Sequence, residues 1–379
     1  MKTSIIFLYS ILIAAVQCVA QTNGTVTAVK EDSVVKRLYN EALDYFWGDG
    51  NENRKIKDFS EHNEKIDREK SFKLMQQCAS MDYLPAMVYM YYHYALGEGT
   101  DKNLQKGIEW LQKGADRGSV ECQIELAKNY YYGRDDDPKC VFPRDFKKAM
   151  QWFECAHKQG SGEATYMLAL MYYKNYYYQK GSKYEKEELE FALHMKNALD
   201  MKKSLRYMQE AANLNYATAI PELYFAYLNG DYGCDKDTVE AMSWLRRGAN
   251  LDDSFCLSEL GGCYYLGKMG LPQNSVSASF YLEKASKHGD PRAMGQLAMM
   301  YLNGEVFAID KAKAFELMRK SASQNDPYSQ NNMGLMYIYG DGCQKDIRLA
   351  NYWFNRCLSN EKAPEDLKEQ AKQNLKLCQ

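Results

Sequence analysis

Five histidines, at positions 62, 93, 157, 194 and 288, and eleven cysteines are the side chains of this chain best suited to proton transfer, nucleophilic attack or metal binding. Acid–base or nucleophilic chemistry would need one of them held beside a base, an orienting carboxylate or an oxyanion donor. The sequence has no His-Glu-x-x-His, no Gly-x-Ser-x-Gly and no glycine-rich phosphate loop following a strand. The acidic run "RDDDPKC", Arg134 to Cys140, offers carboxylates to a cation but lacks the spaced ligands of a calcium loop, so it reads as a solvated turn. No cysteine pair has Cys-x-x-Cys spacing, which leaves structural use as the default for these residues. His93 adjoins the packing Tyr94 and is expected to be a buried or semi-buried structural residue. These residues predict no catalytic site, no metal and no cofactor.

The elements that would have to position any site follow from the rest of the chain. With 379 residues, a formal net charge of -2, 31 Tyr and only 8 Pro, the composition is that of a folded chain rich in aromatic contacts, and no polyanionic partner such as nucleic acid is expected. "MKTSIIFLYSILIAAVQCVA", residues 1–20, has Lys2 before an apolar stretch from Ile5 to Val16 and small residues ahead of Gln21, the pattern of a cleaved secretory signal. The stretch is shorter than the ~20 residues of a membrane-spanning helix. Lipidation at Cys18 is a second alternative, weakened by Gln17 before it. The expectation is a secreted or periplasmic protein with a flexible mature N-terminus over residues 21–33 and no later membrane span. Ten cysteines then remain in a compartment where disulfides persist.

Tyr227, Tyr264, Tyr301 and Tyr337 lie 37, 37 and 36 residues apart, and Gly230, Gly267, Gly304 and Gly340 follow each by three. Tyr45, Tyr94 and Tyr130 lead in the same way to Gly48, Gly97 and Gly133, while Tyr172 leads to Asn175, the other residue that tolerates a left-handed helix end. Eight tandem units result. Each reads as two helices: Ala293, Leu297, Ala298 and Tyr301 form one stripe of a first helix, closed by Gly304. A capping side chain opens each second helix, at Asp67, Asn103, Asp145, Asp200, Asp237, Asn274, Asp310 and Asp346. Ala149, Ala241, Ala278, Ala314 and Ala350 follow by four, small enough for a close helix crossing, and Trp152, Trp244, Tyr281 and Trp353 fill the space beside it. An aromatic stripe at helical spacing is a core stripe before it is a ligand stacker.

With the pattern A-x-x-x-L-G-x-x-Y-x-x-G, loop, D-x-x-x-A-x-x-W/Y-x-x-x-A, the segments "AMGQLAMMYLNG", "NNMGLMYIYGDG" and "DTVEAMSWLRRGA" are similar to the Sel-1-like repeat, a relative of the tetratricopeptide repeat. The resemblance covers Val34 to Asn360, is most specific in the last four units and loosest in the first, where Glu41 stands at the expected Leu and residues 51–65 lengthen the turn. It implies an all-α, α/α superhelical solenoid over residues 34–360, closed over residues 361–379 by a capping helix from Pro364 to Cys378. A secreted, cysteine-rich branch of that family pairs a Cys late in a second helix with one eight residues on. Here Cys122 and Cys256 keep the second position opposite Gly114 and Gly248, so that bridge is not available at those units, and the connectivity of the other cysteines stays open.

By the same resemblance the concave groove holds a protein or peptide, and the residues carried onto it are Tyr92, Tyr131, Tyr173, Phe225, Tyr265, Met299 and Leu335. An aromatic and Met-lined groove suits an amphipathic helix or an extended peptide, although some of these side chains could simply line the inner wall. The implied function is a non-catalytic binding scaffold or adaptor. The alternative, kept from cysteine-rich relatives, is binding of cell-wall fragments or β-lactams with weak hydrolase activity. Residues 173–199 interrupt the array with Tyr173, Tyr176, Tyr177 and Tyr178, and Leu189, Leu193 and Met195 give residues 185–199 the period of an extra short helix.

Overall fold

The computed structural model describes residues 33–47, 67–133, 142–173 and 201–378. Seventeen helices run through these residues, and no strand is among them. The first unit, residues 1–200, holds α1 Ser33–Trp47, α2 Arg68–Ser80, α3 Leu84–Leu96, α4 Leu104–Asp116, α5 Val120–Tyr132, α6 Phe146–Lys158 and α7 Gly162–Tyr173. The second, residues 201–379, holds α8 Met201–Asn213, α9 Ala219–Asn229, α10 Thr238–Asn250, α11 Ser254–Leu266, α12 Ser275–Lys287, α13 Pro291–Asn303, α14 Lys311–Ser323, α15 Pro327–Tyr339, α16 Ile347–Leu358 and α17 Glu365–Leu375. Odd numbers up to α15 are first helices of a repeat and even numbers are second helices. No helix of the described residues is long and apolar enough to cross a membrane.

The turn within each repeat shows why Tyr, Gly and Asp recur together. A first helix ends with carbonyls that have no partner, and a second helix begins with N–H groups that have none. One residue serves both ends. The side chains of Asp67, Asn103, Asp145, Asp237, Asn274, Asp310 and Asp346 accept from backbone N–H groups of the second helix. Their own N–H groups donate back to the carbonyls of Tyr45, Tyr94, Tyr130, Tyr227, Tyr264, Tyr301 and Tyr337 at 2.8–3.1 Å. Gly97, Gly230, Gly267, Gly304 and Gly340 close the first helices in the left-handed conformation, and Gly133 closes α5 with φ of 67°. Asp200, expected as a cap, and Asn175 lie outside the described residues.

The turn between repeats is equally regular. Asp82, Gly118, Gly160, Asn215, Asp252, Gly289 and Asn325, one per repeat boundary, all have φ between 58° and 89°. Asp and Asn reach that region with the least cost among residues carrying a Cβ. Ser119, Asp253, Asp290 and Asp326 then cap the next first helix.

Helices cross where side chains are small. Ala149, Ala241, Ala278, Ala314 and Ala350 are completely buried, and Trp244 and Trp353 pack nearby at 8 % and 9 % exposure. Seven residues after Gly107, Ala241 and Ala314, a second helix meets the residue eight positions further on in the next first helix. At that contact a Cβ on Gly114 would lie 2.4 Å from the Cys122 Sγ, and one on Gly248 would lie 2.2 Å from the Cys256 Sγ. Ser321 and Ser329 solve the same contact with a hydrogen bond of 2.7 Å between their hydroxyls. The thiols therefore fill the space that a bridging partner would take, and all nine cysteines of the described residues are free. The expected C-terminal capping helix is α17, followed by a short 3-10 turn at Lys376–Cys378, and it buries Leu367 and Ala371 against Cys357 and Ala363.

Candidate partner-binding face

The first-helix position two residues before the repeat tyrosine is occupied in turn by Tyr92, Lys128, Leu170, Phe225, Gly262, Met299 and Leu335, and the position five before it by Tyr89, Glu125, Met167, Glu222, Glu259, Gln296 and Asn332. Side chains three apart on a helix share a face, so these two rows run side by side. Of the residues expected to bind a partner, Phe225 is exposed at 40 % and Tyr92 is buried at 3 %. Tyr131, Tyr173, Tyr265, Met299 and Leu335 are half-buried.

In the second unit this face is open. The Phe225 ring lies 5.3 Å from Phe255, and the Arg292 guanidinium stacks 5.1 Å from the Phe255 centroid while its Nη1 stands 3.6 Å from Glu259 Oε2. The Tyr224 hydroxyl donates to Glu259 Oε1 at 3.2 Å, and burial together with that carboxylate holds the phenol well above its ordinary pKa. Tyr265 donates to Glu305 Oε1 at 2.9 Å. Gln296 lies over Gly262, and Asn332 Nδ2 approaches Met299 Sδ at 3.8 Å. The result is a row of aromatic, thioether and aliphatic surface edged by the amides of Gln296 and Asn332, the carboxylates of Glu222, Glu259 and Glu305, and the guanidinium of Arg292, the composition of a surface that buries anchors and satisfies polar groups at its rim.

In the first unit the same two rows hold charge. Lys128 Nζ lies 2.8 Å from Glu125 Oε1 on α5 and 2.6 Å from Glu163 Oε1 on α7, and the three side chains are only 6–10 % exposed. Burial pushes the Glu125 carboxyl above its ordinary pKa, against the pull of Lys128. Burial alone would lower the Lys128 ammonium, but the two carboxylates outweigh it and hold it above its usual range. Sequence reading placed Tyr131 on this helix and passed over Lys128. The signal that could have found it is a lysine where other repeats carry Tyr92, Phe225, Met299 and Leu335, with a glutamate three residues earlier on the same stripe.

The side chains suited to chemistry are enclosed. His93 is fully buried between the Phe46 and Phe72 rings, donates from Nδ1 to the Glu98 carbonyl at 2.6 Å and turns Nε2 toward Ser71 Oγ at 3.3 Å. Ser71, also fully buried, gives its proton to the Ala42 carbonyl, so this Ser–His pair is a packing contact no substrate reaches. Burial, joined by nearby Arg68 and opposed by the Glu98 hydrogen bond, lowers the His93 pKa to about 4. Burial pushes the Cys122 thiol up to about 12 and the Cys263 thiol to about 11, which makes both poor nucleophiles. No cluster of metal-ligating side chains occurs among the described residues. The acidic run from Arg134 to Cys140, the signal segment and the predicted helix 185–199 lie outside the described residues.

Helix pairs repeated in tandem, each with the same two turns and the same crossing, define an all-α repeat protein of the solenoid class. The Sel1 repeat family model matches residues 85–119, 120–161, 196–216, 224–253, 254–290, 291–326 and 327–356, and the chain belongs to the Sel1 repeat family. The α1–α2 pair lies outside the match, as expected for the loosest unit. Among solved structures, a Sel1 repeat protein from Oxalobacter formigenes shares 22 % identity over 89 % of this chain and 86 % of its own, with a TM-score of 0.56. A protective antigen of uropathogenic Escherichia coli displaying an SLR fold matches at 18 % identity over 92 % of this chain and 83 % of its own, with a TM-score of 0.33. An immunity protein from Pseudomonas aeruginosa matches at 16 % identity over 68 % and 82 % of the two chains, with a TM-score of 0.39. No curated protein matches the chain significantly. Sel1 repeats generally serve as non-catalytic scaffolds for protein interactions.

Proposed function

We propose that this protein is an extracytoplasmic scaffold or adaptor that holds a protein or peptide against the face formed by its first helices. The observation that carries the reading is the row of accessible apolar and aromatic side chains, Phe225, Tyr265, Met299 and Leu335, on four successive first helices of a family of interaction modules. Tyr131 and Tyr173 belong to the proposed first-helix face of the first unit. The extracytoplasmic part rests on the sequence of residues 1–20, and N-terminal sequencing of the mature protein should begin at or near Gln21. Finding Met1 retained, or a lipid on Cys18, overturns that part. The matched proteins lend no support to the cell-wall or β-lactam alternative.

Replacing Phe225, Met299 and Leu335 together by Ser removes the apolar row without touching a cap or a crossing. Partner capture from envelope extract should then be lost while helical circular dichroism and melting temperature hold. A well-folded triple variant that retains its partners contradicts the proposal.

A further inference from the structure

The second helices of the second unit carry a surface of their own: we propose that the solvent face of α10, α12, α14 and α16 docks on an anionic lipid surface. The proposal concerns the second helices and stands apart from the partner face of the first helices. On each of the four, the tenth residue after the cap is a cation, namely Arg247, Lys284, Lys320 and Arg356. Positive charge thus recurs once per repeat. Residues four apart share a helix face, so the positions four and eight residues before each cation belong to the same stripe. Val239, Val276, Phe280 and Tyr352 stand there, all more than half exposed. Lys284 Nζ lies 5.5 Å from the Phe280 centroid and the Arg356 guanidinium 6.0 Å from that of Tyr352, so the two cations rest along neighbouring rings.

The charge of this face decides what covers it. The four helices hold ten Lys or Arg against three Glu (Glu240, Glu283 and Glu316), although the whole chain has a formal net charge of -2. Lys284 is paired with Asp252 and Lys311 with Asp341, but Arg246, Lys287, Arg319 and Lys320 are exposed and make no ion pair among the described residues. A second copy of the same face would bring like charges together. A soluble polyanion would gain nothing from Val239, Val276 and Phe280. A bilayer with anionic headgroups rewards both kinds of side chain: each cation near its surface adds attraction, and the apolar groups enter the boundary between headgroups and acyl chains. Apolar side chains spaced singly among cations over four helices suit a fluid surface that moulds to each of them.

Co-sedimentation of the mature full-length protein with lipid vesicles tests the proposal. Phosphatidylcholine vesicles containing about one third phosphatidylglycerol should bind it, pure phosphatidylcholine vesicles should not, and salt raised toward about 1 M should release it. Arg319→Glu combined with Lys320→Glu should weaken binding at least about tenfold, with helical circular dichroism and melting temperature unchanged. Lys147→Glu combined with Lys158→Glu makes the same change of net charge at exposed positions of α6 in the first unit and should bind as wild type does. Phe280→Ser should weaken binding without altering any charge. If the α14 double variant loses structure, Lys287→Glu repeats the test on α12 with a single exposed cation. The idea is overturned if anionic vesicles do not bind, if pure phosphatidylcholine binds equally well, or if the α6 and α14 variants weaken binding alike. An unchanged affinity of Phe280→Ser also overturns it, because the face would then answer to charge alone and not to lipid.

Discussion

In the first unit, α3 buries every residue from Ala86 to Ala95 and α5 buries Glu125 and Lys128, whereas in the second unit α9, α11, α13 and α15 leave Phe225, Tyr265, Met299 and Leu335 at least partly open. Both units are made from the same repeat, with the same capping residue, the same left-handed turns and the same small-residue crossing. The shared features lie at helix ends and between helices, where they satisfy backbone groups and set how closely helices approach. The face of the first helices takes no part in that framework. It is therefore free to bury an ion cluster in one unit and, in the other, to leave aromatic, thioether and aliphatic side chains open beside Glu259 and Arg292.

Removing the central cation gives the largest expected effect. Lys128→Met leaves two buried carboxylates facing each other and should cost the first unit about 3–5 kcal/mol, seen by calorimetry as an early transition. The matching change in the second unit, Arg292→Met, removes a guanidinium whose side chain is 46 % exposed and should cost no more than about 1 kcal/mol. Equal losses would break the comparison.

Acid should separate the units as well. His93 has its folded pKa lowered to about 4 from an ordinary 6.5, so the unfolded chain binds the proton first and stability falls as pH drops through that window. The full loss is roughly 3 kcal/mol. Glu125 acts in the opposite direction, because burial raises its pKa and protonation relieves the cost. The clean readout is the difference between wild type and His93→Gln: the variant's urea stability should depend less on pH between 6.5 and 4. An unchanged profile would mean that His93 is not enclosed as described.

Two smaller tests ask whether the framework really is common to both units. Gly114→Ala and Gly248→Ala each push a Cβ into a cysteine Sγ and should cost about 1–3 kcal/mol alike, with relief when Cys122 or Cys256 is replaced by Ala. Asp145→Ala and Asp310→Ala, one cap in each unit, should each cost about 1 kcal/mol in thermal melts. A cap that matters in only one unit would show that the turns are not equivalent.

The framework was legible in the sequence because it uses residue types with narrow physical roles. Gly304 ends a helix, Asp310 starts one and Ala314 lets two cross, and each recurs at a fixed spacing. The turn between repeats was missed because Asp82, Asn215 and Gly289 answer one backbone demand with three side chains, which hides the pattern. The N–H of each capping residue bonds to a tyrosine carbonyl, and a backbone pairing leaves no trace in residue identity. The face was only partly legible. Phe225, Met299 and Leu335 follow from register alone, but burial of Tyr92 does not. The Lys128–Glu163 pair is 35 residues apart in the chain and becomes visible only when two first helices are laid side by side.

The central claim, that partners bind the first-helix face, is tested most directly by photo-crosslinking from two positions of the second unit. Met299 on α13 is half-buried in the proposed surface, and Val276 on α12 is 68 % exposed on a second helix. A photoreactive residue at Met299 should give a discrete adduct with partner protein in envelope extract, and one at Val276 should give none despite its greater exposure. Equal crosslinking from both positions, or an adduct from Val276 alone, would contradict the account.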